Sequence, residues 1–277
     1  MNTAQLNDRR SYVGGSDAPI IMGMSPWRTP FQLWQDKLGL VPHQEENWAM
    51  KRGNELEPLA RDLYIKYTGN QVKPKQVFHP DISFMMANMD GISDDQSVAV
   101  EIKCPGHEDH GKAKEGRVPI KYFPQLQHQL AVIGLDIIHY FSYLDGDFAL
   151  VEVQRDEDYI NELYDEETRF WECVRTLSPP DFVTKDFLEN SSEEFLMEAQ
   201  EYMKWKNQQD IAKKEADRRK ENLVKLANGM NSIGNGFKLQ QVMKKGNINY
   251  DAIPELEGVD LEQYRKKSTT YWKVTSC

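Results

Sequence analysis

The apolar positions along the chain change period several times, and each change predicts an element. Residues 16–39 read as helix-rich, broken at Gly23, Pro26 and Pro30. Over residues 48–67, Leu56, Leu59, Ala60, Leu63, Tyr64 and Tyr67 recur at helical spacing, and Gly69 stands where a glycine ends a helix. Two strand-like runs follow, residues 84–89 and 98–102, joined by the turn-forming "DGISDDQS" and read as an antiparallel pair. A polar loop leads to a helix from Pro124, then the runs "HYFSYL" and "FALVEV" with a turn at residues 145–147. A helix over residues 157–177 ends at "SPP". The order αα-ββ-α-ββ-α predicts an α/β core with a central mixed β-sheet flanked by helices.

Beyond Asp181 the pattern changes. Residues 193–228 are highly charged, with apolar positions loosely at helical spacing, which predicts a long exposed or coiled helix. "GMNSIGNG" reads as a loop, and "FKLQQVM" with "NINY", around Lys244, Lys245 and Gly246, as a small hairpin whose lysines touch DNA or a partner, or form a charged edge. The expected division is residues 1–184 as one domain and 185–277 as a C-terminal helical and small β extension.

The 277 residues are enough for one substantial core plus an appendage. No apolar run approaches the ~20 residues of a membrane span, and the opening "MNTAQLNDRR" lacks the apolar centre of a secretory signal. Three cysteines without CxxC spacing argue against a disulfide framework, a zinc site or a four-cysteine iron–sulfur cluster, and fit a reducing cytoplasm. The net charge of −10 speaks against a nucleic-acid partner until it is divided. Residues 185–277 carry 16 basic and 15 acidic groups, so the first 184 hold 18 basic against 29 acidic. That surplus is compatible with metal-binding carboxylates or with a solvated acidic surface.

The candidate chemistry lies in "VAVEIKCPG", residues 98–106. Side chains alternate across a strand, so Glu101 and Lys103 share one face while Val100 and Ile102 point into the core. The preceding turn and return strand can bring Asp90 beside Glu101, where two carboxylates repel unless a cation sits between them. A hard divalent ion held by oxygen ligands suits that position and can stabilise charge building on a phosphodiester. Lys103 could then orient or deprotonate a water nucleophile, or neutralise developing charge. On spacing alone, an exposed ion pair on the wet face of a strand is the ordinary reading.

The neighbouring motifs change that reading. "MDG", "VEIKCP", the upstream "LEPLARDLY" and the downstream "YFPQLQHQL" together resemble the lambda-exonuclease or YqaJ-like viral recombinase family of the PD-(D/E)XK nuclease superfamily, over roughly residues 9–180. The resemblance implies a restriction-endonuclease-like core and a metal-dependent exonuclease that degrades the 5′-ended strand of linear duplex DNA, leaving 3′ single-stranded tails. It implies two magnesium ions, with manganese as a substitute, a single-strand annealing protein as partner, and a homotrimeric ring around DNA in the host cytoplasm. By position, Asp90, Glu101 and the Ile102 carbonyl are the implied metal ligands, with Glu57 supporting the second ion and Lys103 as the catalytic lysine. Gln125 matches a glutamine near the active site, and Gln129 lies one turn on. "RRSYVGGSD" resembles the family's Arg-x6-Ser element for the 5′ phosphate, selecting Arg9 and Ser16, with Arg10 a close rival. Asn88 stands where a phosphate-contacting serine can be found. Where relatives can carry an arginine after the E-x-K-C-P run, this chain has Asp109, so phosphate recognition is expected either to use Lys112, Lys114 or Arg117 instead or to be weaker.

Other readings compete at several positions. Glu55 replaces Glu57 if the helical register is displaced, and Asp94 and Asp95 read as turn formers. His107, His110 and His128 lack zinc-site spacing. Trp27 and Trp34 read as core residues in preference to base-stacking ones, and Cys104 as a small space-filler. The rivals to the exonuclease are a structure- or sequence-specific endonuclease on the same core and a non-catalytic scaffold that binds DNA ends.

Overall fold

The computed structural model describes residues 10–42, 47–244, 246, 253, 256 and 259. The chain divides into two compact units at Phe187/Leu188. In the first, chain order runs β1 (Val13–Gly14), α1 (Ala18–Ile21), α2 (Pro30–Lys37), α3 (Trp48–Thr68), β2 (Lys73–Phe78), β3 (Met85–Ile92) and β4 (Ala99–Lys103). It continues through α4 (His107–Lys114), a 3₁₀ turn (Ile120–Tyr122), α5 (Phe123–Ile133), β5 (Ile137–Leu144), β6 (Asp147–Gln154) and α6 (Glu157–Arg175). The expected α/β core with a central mixed sheet is present.

Local chemistry sets the helix ends. The Asn47 side chain accepts from the Met50 N–H at the start of α3, and Gly69 closes the helix at φ 77°, a backbone that other residues adopt only with strain. Thr29 and Gln32 form a reciprocal capping box at α2, with Pro30 at the first helical position. The stretch read as a polar loop after β4 is instead the helix α4. Its apolar content is too low for a periodic signal, but Glu108 and Asp109 in its first turn and Lys112 and Lys114 in its last complement the helix dipole.

Six strands form one sheet. β4 and β5 run parallel, β5 and β6 antiparallel, β3 and β4 antiparallel as expected, and β2 lies antiparallel along β3. β2 was not visible as a strand in the sequence because nearly all its side chains are exposed and it lacks an apolar face. Met86 is paired with both Phe78 of β2 and Gly14 of β1, and Ile92 with both Lys73 of β2 and Ala99 of β4. β1 and β4 therefore share the edge of β3 opposite β2, and residues 87–90 lie between them in a fork of the sheet.

Each face of the sheet carries a core. One packs Met85, Ala87, Met89, Ile92, Ala99, Ile138 and Tyr140 against Leu126 and Leu130 of α5 and Ile160 and Leu163 of α6. The other packs Val100, Ile102, Phe141 and Val72 against Ala60 and Tyr64 of α3. Each Val, Leu, Ile, Met or Phe side chain among them taken fully out of water contributes roughly 1.5–3 kcal/mol. A third cluster joins Val13, Ile20, Ile21, Leu33 and Trp34 to Phe170 and Val174 of α6.

The second unit contains α7 (Glu193–Leu226), which has no buried residue, and a hairpin of β7 (Ser232–Gly234) and β8 (Phe237–Leu239). Its turn is Asn235-Gly236, at φ 47° and 78°, the backbone twist that suits a two-residue hairpin. This corrects the expectation of a loop at "GMNSIGNG": the Asn-Gly pair inside it is the turn. "NINY" and Lys245 lie outside the described residues.

Candidate active site

β4 places the acid–lysine pair by alternation. Val100 and Ile102 are held in the core on the α3 side, which turns Glu101 and Lys103 toward α5. Glu101 is buried at 1% exposure and is fully engaged. Its Oε1 accepts from Lys103 Nζ at 2.5 Å and Gln125 Nε2 at 2.6 Å, and its Oε2 from Gln129 Nε2 at 2.5 Å. Gln125 and Gln129 sit one turn apart on α5 and so reach the same carboxylate.

Asp90 arrives by a different device. From Lys73 to Lys75 on β2 the partner on β3 moves from Ile92 to Met89, so β3 contains one extra residue there, a bulge. The β3–β4 ladder stops at Gly91↔Val100, and the next N–H of β4, that of Ile102, bonds the Asp90 Oδ2 at 2.8 Å instead of a backbone carbonyl. Gly91 is required at this turn of the strand, since a Cβ there would lie 2.7 Å from Val100 Cγ1 and 2.8 Å from Val72 Cγ2. On α3, Arg61 bonds the Asp90 carbonyl at 2.6 Å and pairs with Glu57, which brings the Glu57 carboxylate to the same corner.

The electrostatics follow from this crowding. Burial holds the Asp90 carboxyl well above the usual range, the charge of Glu101 adds to it, Lys103 opposes it, and Glu57 raises it again. Burial by itself would lower Lys103, but the charges of Glu101 and Asp90 outweigh it and hold the ammonium above its ordinary value. Lys103 is therefore a cation between two carboxylates, not a free base. Cys104 is pushed up to about 11 by burial, so its thiol is not a nucleophile at neutral pH.

The donor set fits a hard divalent cation in its chemistry: Asp90 and Glu101 offer only oxygens, repel each other, and stand beside the Ile102 backbone. Among the described residues no three His, Cys, Asp or Glu side chains converge at metal distance, and the Lys103 ammonium and the two glutamine amides are bonded to Glu101.

The N-terminal loop reaches this site through Gly15. A Cβ on Gly15 would be in van der Waals contact with Gln125 Cγ at 3.4 Å and Gln129 Cγ at 3.5 Å, so Ser16, which is exposed, stands beside α5. Asp17 fixes the loop by accepting from the Gly14 N–H at 2.9 Å and from Lys37 Nζ at 2.6 Å. Arg10 is not brought into the Glu101 network: its guanidinium packs on Gly39, and its buried Nε has no hydrogen-bond partner among the described residues. Arg9 lies outside the described residues. Asn88 is exposed on β3, and no contact joins it to Glu101 or Lys103 among the described residues.

The three cations proposed to replace the missing arginine are otherwise engaged. Lys112 pairs with Glu108, Lys114 with Asp147, and Arg117 with Glu115. Asp109 instead binds Lys121 at 2.6 Å, a residue the sequence reading passed over. Lys121 and Lys103 both lie over the Tyr122 ring, at 5.3 and 5.4 Å. The signal was the "IKYF" run directly before Pro124 and Gln125, which a 3₁₀ turn folds against the site. The two tryptophans part company. Trp34 is buried and its indole N–H bonds the Cys173 carbonyl, whereas Trp27 is 67% exposed, so its assignment to the core is corrected. Asp94 and Asp95 are turn residues, Asp95 accepting from Ser93 and Ser97. His110 engages Ser142 and Asp147, and His128 engages Glu167 and the Met86 carbonyl.

A mixed α/β sheet with helices on both faces, carrying an Asp and a Glu-x-Lys on neighbouring strands, defines a nuclease core of the restriction-endonuclease-like, PD-(D/E)XK type. Within that class the chain belongs to the YqaJ-like viral recombinase family, whose domain model matches residues 5–136. It is 34% identical to protein YqaJ of Bacillus subtilis (strain 168) over 172 residues, which is 60% of this chain and 54% of that one; the chain thus spans about half of that relative's length. The crystal structure of an alkaline exonuclease (LHK-Exo) from Laribacter hongkongensis is similar with a TM-score of 0.55 and 30% identity, over 64% of this chain and 94% of that one. The structure of LHK-Exo in complex with dAMP matches with the same TM-score and 29% identity.

Proposed function

We propose that this protein is a metal-dependent exonuclease that acts on the ends of linear double-stranded DNA, removes the 5′-ended strand one nucleotide at a time, and leaves a 3′ single-stranded tail. The observation that carries it is the joint placement of Asp90, Glu101 and Lys103 at the fork of the sheet, in a chain similar to a solved alkaline exonuclease. That LHK-Exo has been solved with dAMP, a mononucleotide of the kind such a reaction releases, supports the same reading.

Magnesium is the proposed ion, with manganese as a substitute; Asp90, Glu101 and the Ile102 carbonyl would hold it, with Glu57 toward a second ion, and it would supply activation of water and stabilisation of phosphate charge. This chain's own residues do the positioning. Asp90 is aimed by its hydrogen bond from Ile102, and Glu101 by Gln125 and Gln129. Lys103, held protonated beside Glu101, would neutralise charge developing on the phosphate. Ser16, with Arg9 or Arg10, receives the 5′ phosphate.

The acidic surplus of the first 184 residues is reconciled with a DNA substrate by assembly into a homotrimeric ring whose sites face inward, and a single-strand annealing protein takes up the product tail. No helix among the described residues is long and apolar enough to cross a membrane, and we place the enzyme in the cytoplasm.

The test is nucleotide release from a 5′-phosphorylated blunt linear duplex and from a closed circle of the same sequence, with and without magnesium. Release from the linear form alone, dependent on metal and lost in Lys103→Ala, is expected. Absence of release, or unchanged release by Lys103→Ala, overturns the reading. Cutting of the circle reassigns the protein as an endonuclease, and tight binding without cleavage as a scaffold. Light scattering that returns a monomer removes the ring.

A further inference from the structure

We propose that Trp27 is a stacking platform for a DNA base, positioning the strand end whose scissile phosphate lies at Lys103; the inference rests on the nuclease reading above. A continuous series of contacts runs from that site to the indole. Lys103 Nζ lies 5.4 Å from the centre of the Tyr122 ring, Lys121 Nζ lies 5.3 Å from the same ring, and Lys121 Nζ lies 4.8 Å from the centre of the Trp27 ring. Trp27 therefore stands two side chains from the candidate catalytic lysine.

The ring is presented and held. It is 67% exposed, in a unit that buries Trp34 to 8%. The turn that carries it is tied down on both sides. Ser25 Oγ accepts from the Trp27 and Arg28 N–H groups, each at 3.3 Å, and Arg28 is clamped to Asp36 and to the Gln32 carbonyl. Thr29 follows at once as the cap of α2. Lys121, itself fixed by Asp109 at 2.6 Å, lies over the ring and anchors it through its quadrupole.

An aromatic platform held beside lysines suits a polyanion with flat, apolar bases. Every base offers a π-face, so the platform grips without reading sequence, as an exonuclease that must digest any end requires. A protein partner would be less well served by a ring that abuts an ammonium group. Because ring and turn are already ordered, little side-chain entropy is lost when a base stacks.

The experiment uses the full chain, as wild type, Trp27→Ala and Trp27→Phe, with a 5′-phosphorylated duplex carrying 2-aminopurine at the 5′ terminus. Calcium replaces magnesium to hold the substrate uncut. Stacking quenches the 2-aminopurine. Wild type is expected to quench it, Trp27→Phe to retain most of the quench, and Trp27→Ala to lose it and bind roughly tenfold more weakly, the size of one lost base–aromatic stack. Trp27→Ala melting at the wild-type temperature excludes loss of fold. Quench and affinity unchanged in Trp27→Ala overturn the proposal, as does a fall in the mass of Trp27→Ala by light scattering with DNA binding intact, which would mark the ring as a contact between copies. Nucleotide release with magnesium is scored separately. A wild type that quenches but never releases nucleotide removes the exonuclease and keeps the platform, and release with no Trp27-dependent quench does the reverse.

Discussion

Asp90 is kept in the fold against its own preference. Its folded carboxyl titrates well above its unfolded value, so it favours folding below about pH 3.9, the unfolded pKa, and that contribution is lost as pH rises through the folded value. At neutral pH the ionised form therefore strains the fold, and Asp90→Asn, which keeps an oxygen for the Ile102 N–H, should melt higher than wild type without divalent metal. Magnesium should raise the wild-type melting temperature at pH 8 and leave that of Asp90→Asn nearly unchanged; differential scanning fluorimetry measures both. Lys103→Ala should reduce the rate of nucleotide release by about 10²-fold or more, the size of a positioned polar group's contribution to the transition state. Equal rates for the two proteins would assign Lys103 to structure alone.

Among the elements, the bulge in β3 and the pair α5–α6 decide where the site groups point. Gly91→Ala would press a methyl onto Val100 and Val72, and should destabilise the protein by about 1–3 kcal/mol in chemical denaturation. Leu130→Ala, in the core of α5, should remove about 2–5 kcal/mol without touching Glu101. Behind Gln125 and Gln129, the buried His128 of α5 bonds Glu167 of α6 at 2.7 Å. Burial alone would lower His128, but the Glu167 carboxylate outweighs it and raises the imidazole above its ordinary value. A raised histidine favours folding fully below its unfolded pKa of about 6.5, and the benefit fades as pH rises through the folded value. Stability should therefore fall with pH above about 6.5, and His128→Gln should flatten that slope in urea titrations across the range.

At the scale of the molecule, the first unit contains the cores and the whole candidate site, and the second has an exposed helix and hairpin. A fragment ending at Phe187 should melt cooperatively, followed by circular dichroism; a non-cooperative melt would show that the first unit depends on the rest. Much of this first unit was legible in advance. α3, α5, α6 and strands β3 to β6 follow from apolar periodicity and from Gly69, and the alternation of Val100, Glu101, Ile102 and Lys103 follows from the two-residue period of a strand. β2 and α4 were not legible, since each is mostly polar and is held by backbone pairing or by neighbours more than by an apolar face.

The sequence by itself determined the order of α3, β3, β4, α5, β5, β6 and α6, the acid–lysine pair on β4 and the glutamines one helical turn apart, because these depend only on local period and spacing. The fork between β1 and β4, the bulge that turns Asp90 into it, and the pairing of Asp109 with Lys121 were decided by tertiary structure. So were the opposite fates of Trp27 and Trp34, identical residues in one stretch of chain. Each of those depends on which distant segment lies alongside, and pattern along a chain does not encode contact across it.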